Sequence, residues 1–153
     1  MAARIDAASV DAVRAGAART DVPGKLVVPV RGGSSSGFGL RLDPYFHRWQ
    51  SHAGVDLAAG AGTPILAAAA GRVVQAGWAG GYGNSVCVDH GTDRHVSTCY
   101  AHQSVVLVRE GQDVRAGQIL GLVGSTGAAT GPHLHFEVRL NGVAVDPAPW
   151  ISQ

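Results

Sequence analysis

Of seven histidines in the chain, four fall in three short stretches that also carry the best-placed carboxylates. GPHLHFEVRL (131–140) has the apolar and aromatic content of a buried strand, yet His133, His135 and Glu137 occupy alternate positions. Side chains alternate across a strand, so this pattern gives one whole face to titratable groups. HAGVD (52–56) sets His52 and Asp56 four residues apart. The even spacing puts both on one face of a single strand, and Gly54 between them disfavours a helix. YAH (100–102) places His102 at the end of what reads as a hairpin arm.

Two imidazoles and one carboxylate are a common ligand set for a catalytic zinc, because three protein ligands leave a fourth position open for water. One anionic ligand leaves the centre net positive, hence a good Lewis acid that also lowers the pKa of water toward about 7. Four histidines and an aspartate exceed what one metal needs. The surplus imidazoles suit proton transfer or the stabilisation of developing charge. Each motif alone has a plainer reading: HxxxD as an exposed ion pair or cap, HLH as buried histidines with hydrogen-bond partners. The three together, in order, favour a metal site, but the residues do not say which histidine of HLH would bind the ion.

The elements that must position these groups are short. From His52 to Pro147 the runs HAGVDLA, PILAA, GRVVQAGW, NSVCVDH, VSTCYAH, SVVLVRE, QILGLVG, HLHFEVRL and VAVD follow at close intervals, nearly all separated by glycine-containing turns. This predicts an all-β domain of compact antiparallel sheets, a small sandwich or open barrel. KLVVPV (25–30) reads as a first strand kept at an edge by Pro29, and RGGSSSGFG (31–39) as a linker. Residues 1–24 read as a lead-in, a short helix or a disordered segment with weak apolar spacing through about residue 22, and 25–153 as the folded domain. The stretch MAARIDAASVDAVRAGAART lacks the apolar core of a signal peptide.

Composition excludes several partners. A length of 153 residues suits one domain. The net charge of +1 gives no reason to expect nucleic acid or an anionic membrane. No run of about 18 apolar residues exists to span a bilayer. Cys87 and Cys99 flank a turn centred near Asp93, which would set them opposite each other in a hairpin. A cross-strand disulfide and two partly buried free thiols both remain open; the disulfide would imply an oxidising compartment.

The motifs SGFGLR (36–41), HAGVDLAAGAGTPILAAAAGRVV, GGYGNSV, YAH, EGQDVRAGQILGLVGSTG, GPHLHFEV and the final DP (146–147) together resemble the lysostaphin/LytM-type zinc metalloendopeptidases, which hydrolyse peptidoglycan. The resemblance covers residues 26–150 in unbroken motif order. It implies Zn2+ held by His52, Asp56 and His135, with His102 and His133 as the catalytic pair beside it, their individual roles interchangeable. It also implies a peptidoglycan cross-bridge or stem peptide as substrate, action as a monomer, and an extracellular, cell-wall or periplasmic location. Regulatory relatives of the family have lost ligands, whereas this chain retains each one. A non-hydrolytic or autoinhibited wall-binding module is the alternative.

Lesser expectations concern the surroundings. Glu137 is placed either as an orienting partner for an imidazole or in an edge salt bridge. Tyr100 is expected in the core, Trp78 beside a peptide groove, and Ser125 and Thr126 in turn hydrogen bonds. His47, His90 and His95 are expected at the surface or in turns. Gly80, Gly81, Gly83 and Asn84 suit a tight turn near the site. VREGQDVRAGQILGLVG resembles the hairpins of lipoyl- and biotinyl-carrier domains, but the sole lysine, Lys25, precedes the β-region, which rejects a carrier.

Overall fold

The structure, a computed structural model, describes residues 26–32, 34–42 and 49–151. The N-terminal lead-in, Lys25 and His47 lie outside the described residues. The strands are β1 (Ser34–Ser36), β2 (Gly39–Leu42), β3 (Trp49–His52), β4 (Val55–Leu57), β5 (Pro64–Leu66), β6 (Gly71–Trp78), β7 (Asn84–Asp89), β8 (Val96–Val106), β9 (Asp113–Val114), β10 (Ile119–Val123), β11 (Leu134–Leu140) and β12 (Val143–Val145). They form the expected all-β architecture, an antiparallel sheet in the order β1-β4-β11-β8-β7-β6-β9 that does not close, with β2 and β3 paired separately. On the same edge of β8, β11 covers residues 96–101 and β10 covers 103–106.

Apolar alternation fixes which face is buried. Leu134, Phe136 and Val138 of β11 pack with Tyr100 and Val96 of β8 and with Val86 and Val88 of β7, all essentially inaccessible. The Tyr100 and Phe136 rings lie 5.3 Å apart, centroid to centroid. A single-residue slip of β11 would exchange this core face for the titratable one, so register is strongly specified. Cys87 and Cys99 are directly opposed in the β7–β8 ladder and form a disulfide, which decides between the two readings of the pair.

Four expectations are corrected. HAGVDLA is not one strand: it breaks after His52, whose strand pairs with β2, and resumes at Val55 in β4, which pairs with β1 and β11. Gly54 at the break lies so close to β11 that a Cβ would sit 2.3 Å from the Phe136 carbonyl oxygen, so the bend requires a residue without a side chain. RGGSSSGFG is not a linker, because Ser34–Ser36 adds to β4 as an edge strand; ladder hydrogen bonds need no apolar side chains. KLVVPV does not form a strand within its described part, where Leu26 makes only an isolated parallel bridge to Ile151. VSTCYAH and SVVLVRE are not separate strands: β8 runs continuously through Val106, and His102 sits within it rather than at its end.

His90 is the other surprise. Expected at the surface, it is fully buried, whereas His95 is exposed in the turn as expected. A carbonyl only accepts, so His90 Nδ1–H donates to the Ala70 oxygen at 2.8 Å, leaving Nε2 to accept from the Thr98 hydroxyl at 2.8 Å. Thr98 Oγ1 then accepts from the Tyr100 hydroxyl at 2.6 Å, and that oxygen accepts from Ala68 N–H at 2.8 Å. This one-directional chain ties the β5–β6 connection to β8 and requires a neutral imidazole. Burial accordingly pushes the His90 pKa down. Because the folded value lies below the ordinary value of about 6.5, the unfolded chain binds the proton first and stability falls as pH drops below that value. In urea titrations from pH 7 to 5, His90→Gln should lose stability less steeply than wild type; equal slopes would contradict this account.

Candidate metal centre

Register brings the first three groups together. Asp56 of β4 lies directly opposite His135 of β11, and His52 arrives from the end of β3. His52 Nε2, Asp56 Oδ1 and His135 Nδ1 form a nearly equilateral triangle with edges of 3.1, 3.1 and 3.2 Å. A tetrahedral ion with bonds of about 2.0–2.1 Å sets its ligands about 3.3–3.4 Å apart, so the triangle is close to a zinc face. All three residues are buried.

The far sides of the rings decide which nitrogens face inward. His52 Nδ1–H donates to the Gly37 carbonyl at 2.7 Å, leaving its Nε2 lone pair in the triangle. His135 Nε2–H donates to Glu137 Oε2 at 2.8 Å, leaving its Nδ1 lone pair there as well. With Asp56, three lone pairs converge on one point, an arrangement that needs a cation or added protons to be tolerable. The chemistry of this donor set, and not only its spacing, fits zinc.

Glu137 contacts the His135 imidazole, and its salt bridge to Arg139 is buried and not at a sheet edge. The glutamate is 1% exposed, holds His135, and receives Arg139 Nη2 at 2.7 Å and Nε at 2.9 Å on its other oxygen. Burial alone would raise its pKa, but His135 and Arg139 bring it down to about 2. The carboxylate therefore stays charged and fixes the ring it contacts, as outer partners of metal-binding histidines do. Asp56 is likewise driven well below the carboxylate range: burial works against ionisation, and the imidazoles of His133, His135 and His52 crowded against it outweigh that effect.

The two remaining histidines border the triangle. His133 precedes β11, bridging antiparallel to Gly124, and its Nε2 lies 3.5 Å from Asp56 Oδ1. His102 reaches the site through an irregularity. Ala101 is the residue opposite His135, while Tyr100 pairs with Phe136 on the core face, so a regular strand would send His102 into the core. Against β7, however, β8 carries one extra residue between Tyr100 and Gln103, and His102 adopts φ +61°. This bulge turns the imidazole to the site face, where its ring is 4.9 Å from His133 and 5.9 Å from His135. Both flanking rings donate Nδ1–H to a backbone carbonyl, His102 to Thr126 at 2.7 Å and His133 to Gly131 at 2.9 Å. Both Nε2 atoms are thus proton acceptors. Burial lowers the His102 pKa to about 4, which keeps it a neutral base.

Sequence reasoning missed three contributors. Tyr82, in a single 3-10 turn at Gly80–Tyr82, lies 5.6 Å from the His135 ring, and burial and the Glu137 carboxylate push its phenol up. The Gly37 carbonyl and Arg139 were equally invisible; only the even spacing of Arg139 from His135 and Glu137 hinted at a shared face.

Comparison with known proteins identifies the family. The family model described as peptidase family M23 matches residues 50–147. The DD-carboxypeptidase/endopeptidase Mpg of Neisseria meningitidis is 50% identical over 113 residues, covering 74% of this chain and 26% of that protein. The murein hydrolase activator EnvC of Escherichia coli is 40% identical over 130 residues, covering 85% of this chain and 30% of its own. The chain therefore spans between a quarter and a third of the length of these curated relatives. Among solved structures, the catalytic domain of lysostaphin from Staphylococcus simulans superposes with a TM-score of 0.69 at 35% identity, covering 77% of this chain and 90% of that one. A zinc-containing peptidase from Vibrio cholerae gives 0.69 at 31% identity, over 82% of this chain and 40% of that one. With its motif order, fold and family match in agreement, the chain belongs to peptidase family M23.

Proposed function

We propose that the domain is a zinc-dependent endopeptidase that hydrolyses amide bonds in peptidoglycan cross-bridge or stem peptides. The observation that carries this reading is the convergence of three lone pairs, from His52, Asp56 and His135, beside two imidazoles whose Nε2 atoms are also free to accept. Zinc held by the three ligands supplies Lewis acidity toward a carbonyl and acidifies water. His102 and His133 would act as the proton-moving pair: one Nε2 takes the attacking water's proton and, as an imidazolium, passes it to the leaving amine, while the other, carrying a proton taken from solvent, donates to the developing oxyanion. Both offer Nε2 to the site, although Asp56 raises the pKa of His133 while burial lowers that of His102, and the geometry alone does not divide the two roles between them. Glu137 and Arg139 do not reach the reacting atoms; they hold His135 in the tautomer that offers Nδ1.

The Cys87–Cys99 disulfide supports work in an oxidising compartment, outside the cytosol. Among the described residues no helix is long and apolar enough to cross a membrane. A second reading is favoured by the similarity to EnvC and to the activator NlpD, 45% identical over 101 residues: the domain would stimulate a separate wall hydrolase instead of cutting. The intact ligand triangle and proton-accepting pair argue for the enzyme.

Three outcomes test the proposal. His135→Ala should abolish zinc uptake measured by metal analysis, whereas His133→Ala should keep the metal and lose at least a hundredfold in turnover; loss of zinc from both would dissolve the division of roles. Glu137→Gln should weaken zinc about 10- to 100-fold in chelator competition, and an unchanged affinity would remove Glu137 from the centre. Mass spectrometry of walls digested by fully loaded protein should reveal newly released peptides that disappear on chelation. Intact walls, together with stimulation of a separate hydrolase, would favour the activator.

A further inference from the structure

Both tautomer-setting carbonyls come from one segment, the loop between β10 and β11. Thr126 supplies the acceptor for His102 and Gly131 the acceptor for His133. A carbonyl on a loop directs a ring only as well as the loop itself is held, and beside backbone bonds such as that from Ala128 to Gly81 this loop is tied at both sides by the Thr126 side chain. Thr126 Oγ1 donates to the Gln103 carbonyl at 2.8 Å and accepts from Asn84 N–H at 3.0 Å. The first contact anchors the loop to the residue after His102. The second anchors it to β7, the strand against which β8 bulges.

The surrounding backbone is shaped around this contact. Gly83, at φ +65°, approaches so closely that a Cβ there would lie 2.5 Å from the Thr126 carbonyl carbon and hydroxyl. Gly127, at φ +74°, meets Gly83 and Gly81 just as tightly, and Ala128 N–H donates to the Gly81 carbonyl at 2.8 Å. Two glycine-bearing loops are thus pressed backbone to backbone, with the threonine hydroxyl as the polar key between them.

We infer that Thr126 is a positioning residue for His102: its hydroxyl fixes the carbonyl that locks His102 as the Nδ1–H tautomer and aims Nε2 at the scissile bond. The inference rests on the proposed hydrolytic role of His102, but its geometry does not involve the metal ligands. Serine at this position retains the hydroxyl. Valine keeps the shape, and strands Asn84 N–H and the Gln103 carbonyl. A small displacement of an acid–base group costs up to about a hundredfold in rate.

The test uses the full chain loaded with zinc. Long-range 1H–15N spectra of wild type should show His102 protonated at Nδ1; an Nε2–H signal would overturn the inference whatever the variants do. Thr126→Val should show mixed His102 tautomers and a kcat on a wall-derived peptide reduced about 10- to 100-fold, with KM and zinc affinity within about twofold. Thr126→Ser should restore both the tautomer and kcat. A single Nδ1–H tautomer in Thr126→Val with unchanged kcat would overturn the inference, as would equal loss in the serine and valine variants. If wild type cuts no peptide, the hydrolytic reading fails, while the tautomer spectra still decide what Thr126 does.

Discussion

Lone pairs brought within 3.2 Å of one another repel, and this fold spends much of its architecture holding three of them there. The repulsion among His52, Asp56 and His135 is held by partners behind them: the Gly37 carbonyl for one ring, Glu137 with Arg139 for the other, and the β4–β11 register for the carboxylate. A preorganised, partly dehydrated site of this kind gains more from a cation than water-exposed ligands would, since the ligands are already aligned and their outward hydrogen bonds already made. That constraint explains why β11 gives one face to the core and the other to titratable groups.

A second arrangement is layered on the first. Asp56 and His135 sit opposite each other in the β4–β11 pairing and His52 ends the separately paired β3, whereas His102 and His133 depend on irregular backbone. His102 requires a bulge and a left-handed residue inside β8, and His133 stands just before β11 on an isolated bridge. Both lean on carbonyls of one loop. The triangle and the two flanking imidazoles are therefore supported by different parts of the structure, the first by β4, β11 and the end of β3, the second by carbonyls of the β10–β11 loop. Damage to one need not disable the other.

How much of this was legible in the residues follows from the same division. The alternation in HLHFEV fixed its two faces, because strand periodicity is a local property, and Leu134 and Phe136 lie in the core as that alternation requires. HAGVD was misread as one strand: spacing alone cannot reveal that Gly54 admits a bend against β11. YAH gave no sign of a bulge, since the extra residue exists only relative to β7. The serines of 34–36 looked like linker because edge pairing uses backbone, not side chains. His90 was judged by its turn-like neighbours, and its burial follows from Ala70 and Thr98, partners distant or unremarkable in sequence. Which histidine of HLH joins the triangle came from family resemblance, and the paired distances place His135 there.

The central claim is that His52 Nε2, Asp56 Oδ1 and His135 Nδ1 together form a zinc face. Zinc-edge X-ray absorption of stoichiometrically loaded protein tests it most directly. The account predicts a four-coordinate ion with nitrogen and oxygen donors at about 2.0–2.1 Å, a scattering signature of two imidazoles, and no sulfur shell. A six-coordinate, water-rich ion or a shell with fewer than two imidazoles would contradict it.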